Sequence, residues 1–234
     1  MSNVFGSTVD IKAIANLAQG VAAKLLVDAC QSVVHMKLDV QALGCDFLVF
    51  SSHKLYGPSG VGILYGKQEL FEKMGPYQTG GSMVKEVSFD GTSFLEAPHK
   101  FEAGTPAIAE VIAFGEVLHY LKQSIDLESV WEEEKKLARH IRNGIRNLGN
   151  YKILGKDDES SIISILHSKA HHSDIGEILN QCGVAIRTGH HCAQPLMNYL
   201  GIAGTARISL GMYNNLDDAE NLILALEKCN KIFG

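Results

Sequence analysis

The sequence is short of the features that mark several large classes of protein. No stretch approaches the ~18 consecutive apolar residues of a membrane span. The opening MSNVFGSTVD has no basic segment followed by an apolar one, so no secretory signal is expected. The 234 residues hold five cysteines, an odd number at wide spacing, with no C-x-x-C. That excludes a disulfide framework and an ordinary zinc ribbon. Excess charge is also scarce. Against 26 Asp and Glu stand 21 Lys and Arg, a net −5, which gives no reason to expect nucleic acid or an anionic membrane as partner. There are no internal repeats and no low-complexity tract. What is left is an ordinary soluble composition, long enough for one large domain or two small ones, with the cytoplasm as the expected location.

Apolar patterning then orders the chain. DIKAIANLAQG (10–20) has helical spacing. KLLVDA (24–29), DFLVFSS (46–52) and VGILYG (61–66) are apolar runs without alternation, as in strands covered on both faces of an α/β sheet. VQALGC (40–45) and KQELFEKMG read as short helices. Residues 75–106 are Gly-rich and unpatterned, a long loop of the kind that is usually functional or interfacial. At GTPAIAEVIAFGEVLHYLKQS, Thr105 can cap a helix and Pro106 suits its first position. Ile108, Val111, Ile112, Leu118 and Leu121 make its apolar face. A second helix is expected at about 127–148, with Leu137, Ile141, Ile145 and Leu148 inward and EEEKK a solvated face. SIISILH (161–167), VAIRTG and ARISLG (206–211) read as strands. SDIGEILNQCG (173–183) reads as a helix capped by Ser or Asp, and about 216–232 as a last helix burying Ala219, Leu222, Ile223 and Leu226. An α/β segment is followed by a small α+β one.

Two places carry chemistry. In open α/β sheets ligands bind beyond the carboxyl ends of the strands. Asp28 ends one strand, and Ser51, Ser52, His53 and Lys54 follow another. A carboxylate and a lysine facing one crevice suit pyridoxal 5'-phosphate (PLP), whose aldehyde takes a lysine and whose ring nitrogen takes a carboxylate. A solvated lysine and a capping aspartate are the plainer reading. The second place is RTGHHCAQP (187–195). Arg187, His190, His191 and Cys192 crowd a short loop, and positive neighbours favour a thiolate nucleophile. Zinc binding by His190, His191 and Cys192 and a buried structural cysteine are the other readings, and Pro195 with polar flanks favours an exposed loop. Cys30, Cys45, Cys182 and Cys229 read as small core residues. Arg207, a lone charge in an apolar strand, calls for a carboxylate partner from protein or substrate.

The stretches SNVFG, VDACQSVVH, DFLVFSSHKLYGPSGVGILYG, GGSMV, KFEAGTP, RTGHHCAQPLM and ARISLGMYN together resemble the cysteine desulfurases of the sulfur-mobilisation (SUF) type. These are close to selenocysteine lyases and belong to the class V aminotransferase family of fold-type I PLP enzymes. RTGHHCA points to the second desulfurase group, with its short cysteine loop. By this resemblance Lys54 matches the Schiff-base lysine, Asp28 the partner of the ring nitrogen and Gln31 a donor to the ring hydroxyl. Ser51 and His53 match phosphate ligands, and Thr105 a phosphate contact supplied by the other subunit of a homodimer. Asn3 and Arg207 match the groups that hold the substrate carboxylate, with Arg187 near Cys192, which matches the sulfur acceptor. The implied reaction turns L-cysteine into L-alanine. It leaves a persulfide on Cys192, whose sulfur an acceptor protein takes by thiol exchange for iron–sulfur cluster assembly. Selenocysteine as substrate is the alternative within the class. An inactive fragment acting only as a binding partner is the alternative outside it.

The resemblance begins partway along the family. It implies a truncated large-domain sheet at 1–106, a remnant of the PLP-binding domain, then a connecting helix and a C-terminal α+β small domain at 107–234. The family's N-terminal half has no match here. Its absence would leave one sheet face open and Asn3 at a frayed end, unless a separate N-terminal chain covers the gap. Ala29, Cys30 and Ser52 stand where the family often has glycine, which takes close-approach room from the ring.

Overall fold

The computed structural model describes residues 1–156 and 159–234. The chain forms two compact units, Asp10–Ile125 and Met1–Val9 together with Asp126–Gly234.

The first unit opens with helix α1 (Ile11–Gly20), started by the Asp10 carboxylate accepting from the Ala13 amide. Strand β1 (Leu26–Asp28) is followed by two single-turn helices, α2 (Ser32–His35) and α3 (Val40–Leu43). Asp39 caps α3 and Gly44, at φ +71°, ends it, a left-handed position that glycine takes without strain. Strand β2 (Phe47–Ser51) runs parallel to β1, and β3 (Gly62–Gly66) runs antiparallel to β2. Strand alternation decides which side is packed. Val27, Leu48 and Tyr65 lie abreast and join Ala29 and Cys45 in a small core under α1 and α3. Leu26 and Leu64 are 55% and 48% exposed, so the expectation of strands covered on both faces is met on one side.

Residues 75–106 are not a bare loop. They hold a hairpin, β4 (Val84–Ser88) with β5 (Gly91–Phe94), irregular in register between Val84 and Glu86. Helix α4 (Gln68–Lys73) precedes it and α5 (Ile108–Ser124) follows. Thr105 does not cap α5. Ala107 holds that position with no side-chain bond. Of the α5 apolar face, Leu121 is buried and so is Phe114, while Ile108, Val111, Ile112 and Leu118 are exposed.

The second unit is a four-stranded antiparallel sheet. Helix α6 (Leu127–Leu148) leads into β6 (Tyr151–Leu154), β7 (Ile162–His167), α7 (His172–Gln181), β8 (Arg187–Gly189), α8 (Gln194–Leu200), β9 (Thr205–Ser209) and α9 (Leu216–Phe233). The strands lie in the order β6-β7-β9-β8. Ile141 and Ile145 of α6, Ile163 and Ile165 of β7, and Leu222 and Leu226 of α9 form its core. Each such side chain is worth about 1.5–3 kcal/mol on burial. Asn215 and Asp218 start α9 with a reciprocal capping box. The α7 cap is His171, not the expected Ser or Asp. Arg142 is buried and donates to the Ser160 and Ile162 carbonyls at 2.7 and 3.1 Å.

The first nine residues complete this unit. Val4 is buried and its carbonyl accepts from Ser164 Oγ at 2.7 Å. Gly6 sits at φ +69°, where an added Cβ would meet Ser160 Oγ at 1.8 Å. The expectation of a frayed segment around Asn3 is therefore corrected. A buried valine and a tertiary hydrogen bond hold it down.

Candidate active site

Consider first the strand ends of Asp10–Ile125. The parallel register pairs Asp28 with Val49, and the Ala29 amide donates to the Val49 carbonyl at 2.8 Å. The next residues, Cys30 and Ser51, are thus drawn side by side. Asp28 is exposed at the end of β1, and its Oδ1 accepts from the Cys30 amide at 2.9 Å. Lys54 is half-buried in a single 3-10 turn, Ser52–Leu55, directly after β2. Buried Ser52 ties that turn down. Its hydroxyl is shared between the Pro58 carbonyl and, at 3.1 Å, the Val61 carbonyl. Tyr56, at φ +59°, ends the turn, and Gly57 passes so close to Phe114 that a Cβ would lie 2.4 Å from its ring.

The charges of Asp28 and Lys54 both act on the Cys30 thiol. Burial and the Asp28 carboxylate raise the Cys30 thiol pKa, while the Ser51 backbone and the Lys54 ammonium lower it. Cys30 is half-buried, not the plain core residue expected of it. Ser51 ends β2, His53 is exposed in the 3-10 turn, and Gln31 precedes α2 without capping it. Thr105 lies apart from these, exposed in the segment before α5.

The second unit carries the other cluster. β8 and β9 pair antiparallel with Arg187 directly opposite Arg207. Two like charges so placed oppose each other. Burial and Arg187 lower the Arg207 pKa, and nearby Cys192 pulls it back up. After β8 the chain turns through two consecutive left-handed residues, His191 at φ +53° and Cys192 at φ +58°. Neither is glycine, so each is held at a cost of about 1–2 kcal/mol. The turn presents Cys192, the exposed member of the five cysteines. Arg187 Nη2 donates to its Sγ at 3.6 Å. Pro195 follows at the start of α8, where the missing N–H costs nothing.

Long-range hydrogen bonds hold this turn. Asn3 Nδ2 donates to the His191 carbonyl at 2.6 Å, and Arg207 Nη1 donates to the Asn3 carbonyl at 3.0 Å. His191 is 2% exposed, and its Nε2 lies 2.7 Å from Thr205 Oγ1 and 3.2 Å from the Thr205 carbonyl. Asn3, Arg187, Cys192 and Arg207 thus meet in one place. His191 and Thr205 complete the cluster. The sequence marked His191 only as one of several histidines and did not mark Thr205. Their signal is spatial, a buried histidine bonding to the strand that carries Arg207. Among the described residues no three His, Cys, Asp or Glu side chains are arranged to hold a metal ion.

A β-sheet unit with an acid and a lysine at its strand ends, and a small antiparallel unit carrying an exposed cysteine, define a class. Residues 1–222 match the family model Aminotransferase class-V, and the chain belongs to that family. It is 43% identical to a cysteine desulfurase of Wigglesworthia glossinidia brevipalpis over 233 residues, which is 99% of this chain and 57% of that protein. A cysteine desulfurase CsdA from Escherichia coli, solved with an S-sulfonic acid, superposes with a TM-score of 0.96 at 38% identity, over 100% of this chain and 58% of that one. The apo cysteine desulfurase of Thermococcus onnurineus NA1 does so with 0.95 at 34% identity, over 100% and 59%. The chain thus spans less than two thirds of the length of the relatives it matches.

Proposed function

We propose that this chain carries the cofactor- and cysteine-handling residues of a PLP-dependent cysteine desulfurase, which converts L-cysteine to L-alanine. The observation that carries the reading is the thiol of Cys192, exposed on a strained turn and bonded by Arg187 beside Arg207 and Asn3. The kinship with cysteine desulfurases supports it.

The residues present fit PLP. One Asp28 oxygen is engaged by the Cys30 amide, and both Asp28 and Lys54 bear on the same Cys30 thiol. A carboxylate and an amine near one thiol support this reading. When bound there, PLP supplies an aldehyde for amines and a protonated ring that accepts an electron pair. Asp28 would hold the ring nitrogen and Gln31 the ring hydroxyl. Ser51, His53 and a second subunit's Thr105 would hold the phosphate. Lys54 would be the amine for the aldehyde and the base for the substrate's α-proton. Arg207 and Asn3 bind the substrate carboxylate.

The Cys192 thiolate attacks the substrate sulfur. The S–S bond forms as the C–S bond breaks, its electron pair goes to the substrate carbon, which takes up a proton to become the methyl of alanine, and Cys192 keeps a persulfide. Arg187 steadies the sulfur anion. An acceptor protein then takes the sulfane sulfur for iron–sulfur cluster assembly. We place the reaction in the cytoplasm and assign the exposed Leu26, Leu64 and Ile112 to a surface covered by a second subunit or by a separate N-terminal chain. Among the described residues no helix is long and apolar enough to cross a membrane.

The test is visible absorption of the chain with PLP, beside Lys54→Ala and Cys192→Ser, together with persulfide detection by mass. A band that needs Lys54, and a persulfide that needs Cys192 while the band does not, are expected. A band that survives Lys54→Ala, or a persulfide that survives Cys192→Ser, sinks the assignment.

A further inference from the structure

We propose that His191 is a positioning residue that clamps the left-handed Cys192 turn so that the thiol stays against Arg187. Two non-glycine residues in left-handed conformation do not hold that shape unaided. The turn is fastened on the backbone side by Asn3 Nδ2 on the His191 carbonyl at 2.6 Å. On the side-chain side it is fastened by the His191 ring on Thr205. A carbonyl can only accept, so the contact with the Thr205 carbonyl sets the proton on Nε2. Nδ1 is then a bare acceptor, buried with no hydrogen-bond partner among the described residues.

Burial and charge keep the ring in this form. The groups facing it are Arg207 on β9, Arg187 on β8 and His172 on α7. Burial first, then these neighbours, push the His191 pKa down to about 4. The ring therefore adds no third positive charge beside the two arginines at neutral pH. A lysine or arginine at this position could reach Thr205 but would compete with Arg187 for the sulfur anion. A neutral donor of fixed tautomer anchors the turn and leaves Arg187 as the cation at Cys192.

The inference gains its purpose from Cys192 as sulfur acceptor, yet its test needs neither cofactor nor substrate. Alkylation of Cys192 by iodoacetamide, read by peptide mass, reports the thiol directly. His191→Ala and Arg187→Ala are each expected to slow it about fivefold, since either change loses the 3.6 Å contact that holds the sulfur against Arg187. Because both act through one contact, the double variant should be no slower than either single one. His191→Gln, which keeps an N–H for Thr205, should recover most of the rate.

Full additivity, or His191→Ala at the wild-type rate, overturns the clamp. If His191→Ala does not fold, Thr205→Val removes the 2.7 Å contact at nearly constant volume. A slowing masked by Arg187→Ala is again expected, and an unchanged rate again overturns it. A persulfide that survives Cys192→Ser would sink the acceptor reading and leave the clamp standing, so the two failures are distinct.

Discussion

The two chemical clusters are built in opposite ways. Asp28, Ser51, His53 and Lys54 stand at the ends of two neighbouring parallel strands and their following turn. Short-range contacts place them. Cys192 is placed by residues 188 and 204 positions apart, through Asn3–His191 and Arg207–Asn3. The first cluster is open, with Asp28 and His53 exposed. The second is fastened on every side and carries its strain in two positive φ angles. Strand geometry suffices where a site presents a carboxylate and an amine. A sharply turned nucleophile needs a scaffold that over-determines it.

The contrast can be broken by substitution. The largest effect is expected for Gly6→Ala, where the added Cβ would overlap Ser160 Oγ and lie 2.8 Å from the Ile162 carbonyl. We expect a loss of about 3 kcal/mol from strain and displacement together, read by denaturant unfolding, with loosening of Asn3. An unchanged midpoint would show the segment is not fastened as described.

Next comes acid sensitivity of the fastened cluster. His191 has its folded pKa near 4, below the ordinary 6.5. Between those values the unfolded chain binds a proton that the folded one does not, so stability falls as pH drops from about 6.5 to about 4 and then levels. A contribution of up to about 3 kcal/mol is expected, and His191→Gln should flatten that window in a series of melts. A window of the same depth in that variant would remove His191 as its source.

Gly60, in the turn beyond Lys54, is the matched control. It has φ +90° but nothing within 4 Å of an added Cβ. Gly60→Ala should cost only about 1 kcal/mol. A loss as large as that of Gly6→Ala would erase the difference between the two regions. The smallest effect is expected at the facing arginines. Arg187→Gln should raise stability by about 0.5 kcal/mol by relieving like charge across β8 and β9, while slowing Cys192 alkylation. A destabilised variant would mean the pair is not repulsive.

The sequence was most legible where order is local. Helical spacing marked α1, α6 and α9, and apolar runs marked β1, β2, β3 and β7. The β4–β5 hairpin was hidden because Val84–Ser88 carries polar and charged residues on an exposed ribbon, so neither periodicity stands out. Strand β6 is only four residues long, and helix α8 begins at a proline that reads as a loop. Pro106 and Thr105 suggested a helix start two residues early, because a side chain that can cap says nothing of whether an amide is in reach. At the candidate site the reactive residue types stood together in RTGHHCAQP, so Arg187 and Cys192 could be noticed. Thr205 and the burial of His191 could not, since they arise when β9 is laid beside β8. Cys30 looked like filler because the thiol's neighbours, Asp28 and Lys54, come together only across two strands.

The tie between Asn3 and Arg207 also orders events in time. Residues 1–9 are synthesised well before Ser164, His191 and Arg207, the partners that bind them at separations of 160, 188 and 204 residues. Asp10–Ile125 can settle while that segment waits, because its own contacts close first. The waiting segment docks only after β9 has paired, and closing so long a loop is slow. The anchorage of the Cys192 turn is therefore complete only once both ends of the chain are in place. A chain stalled before β9 would carry the Lys54 turn but none of the strand that anchors the thiol.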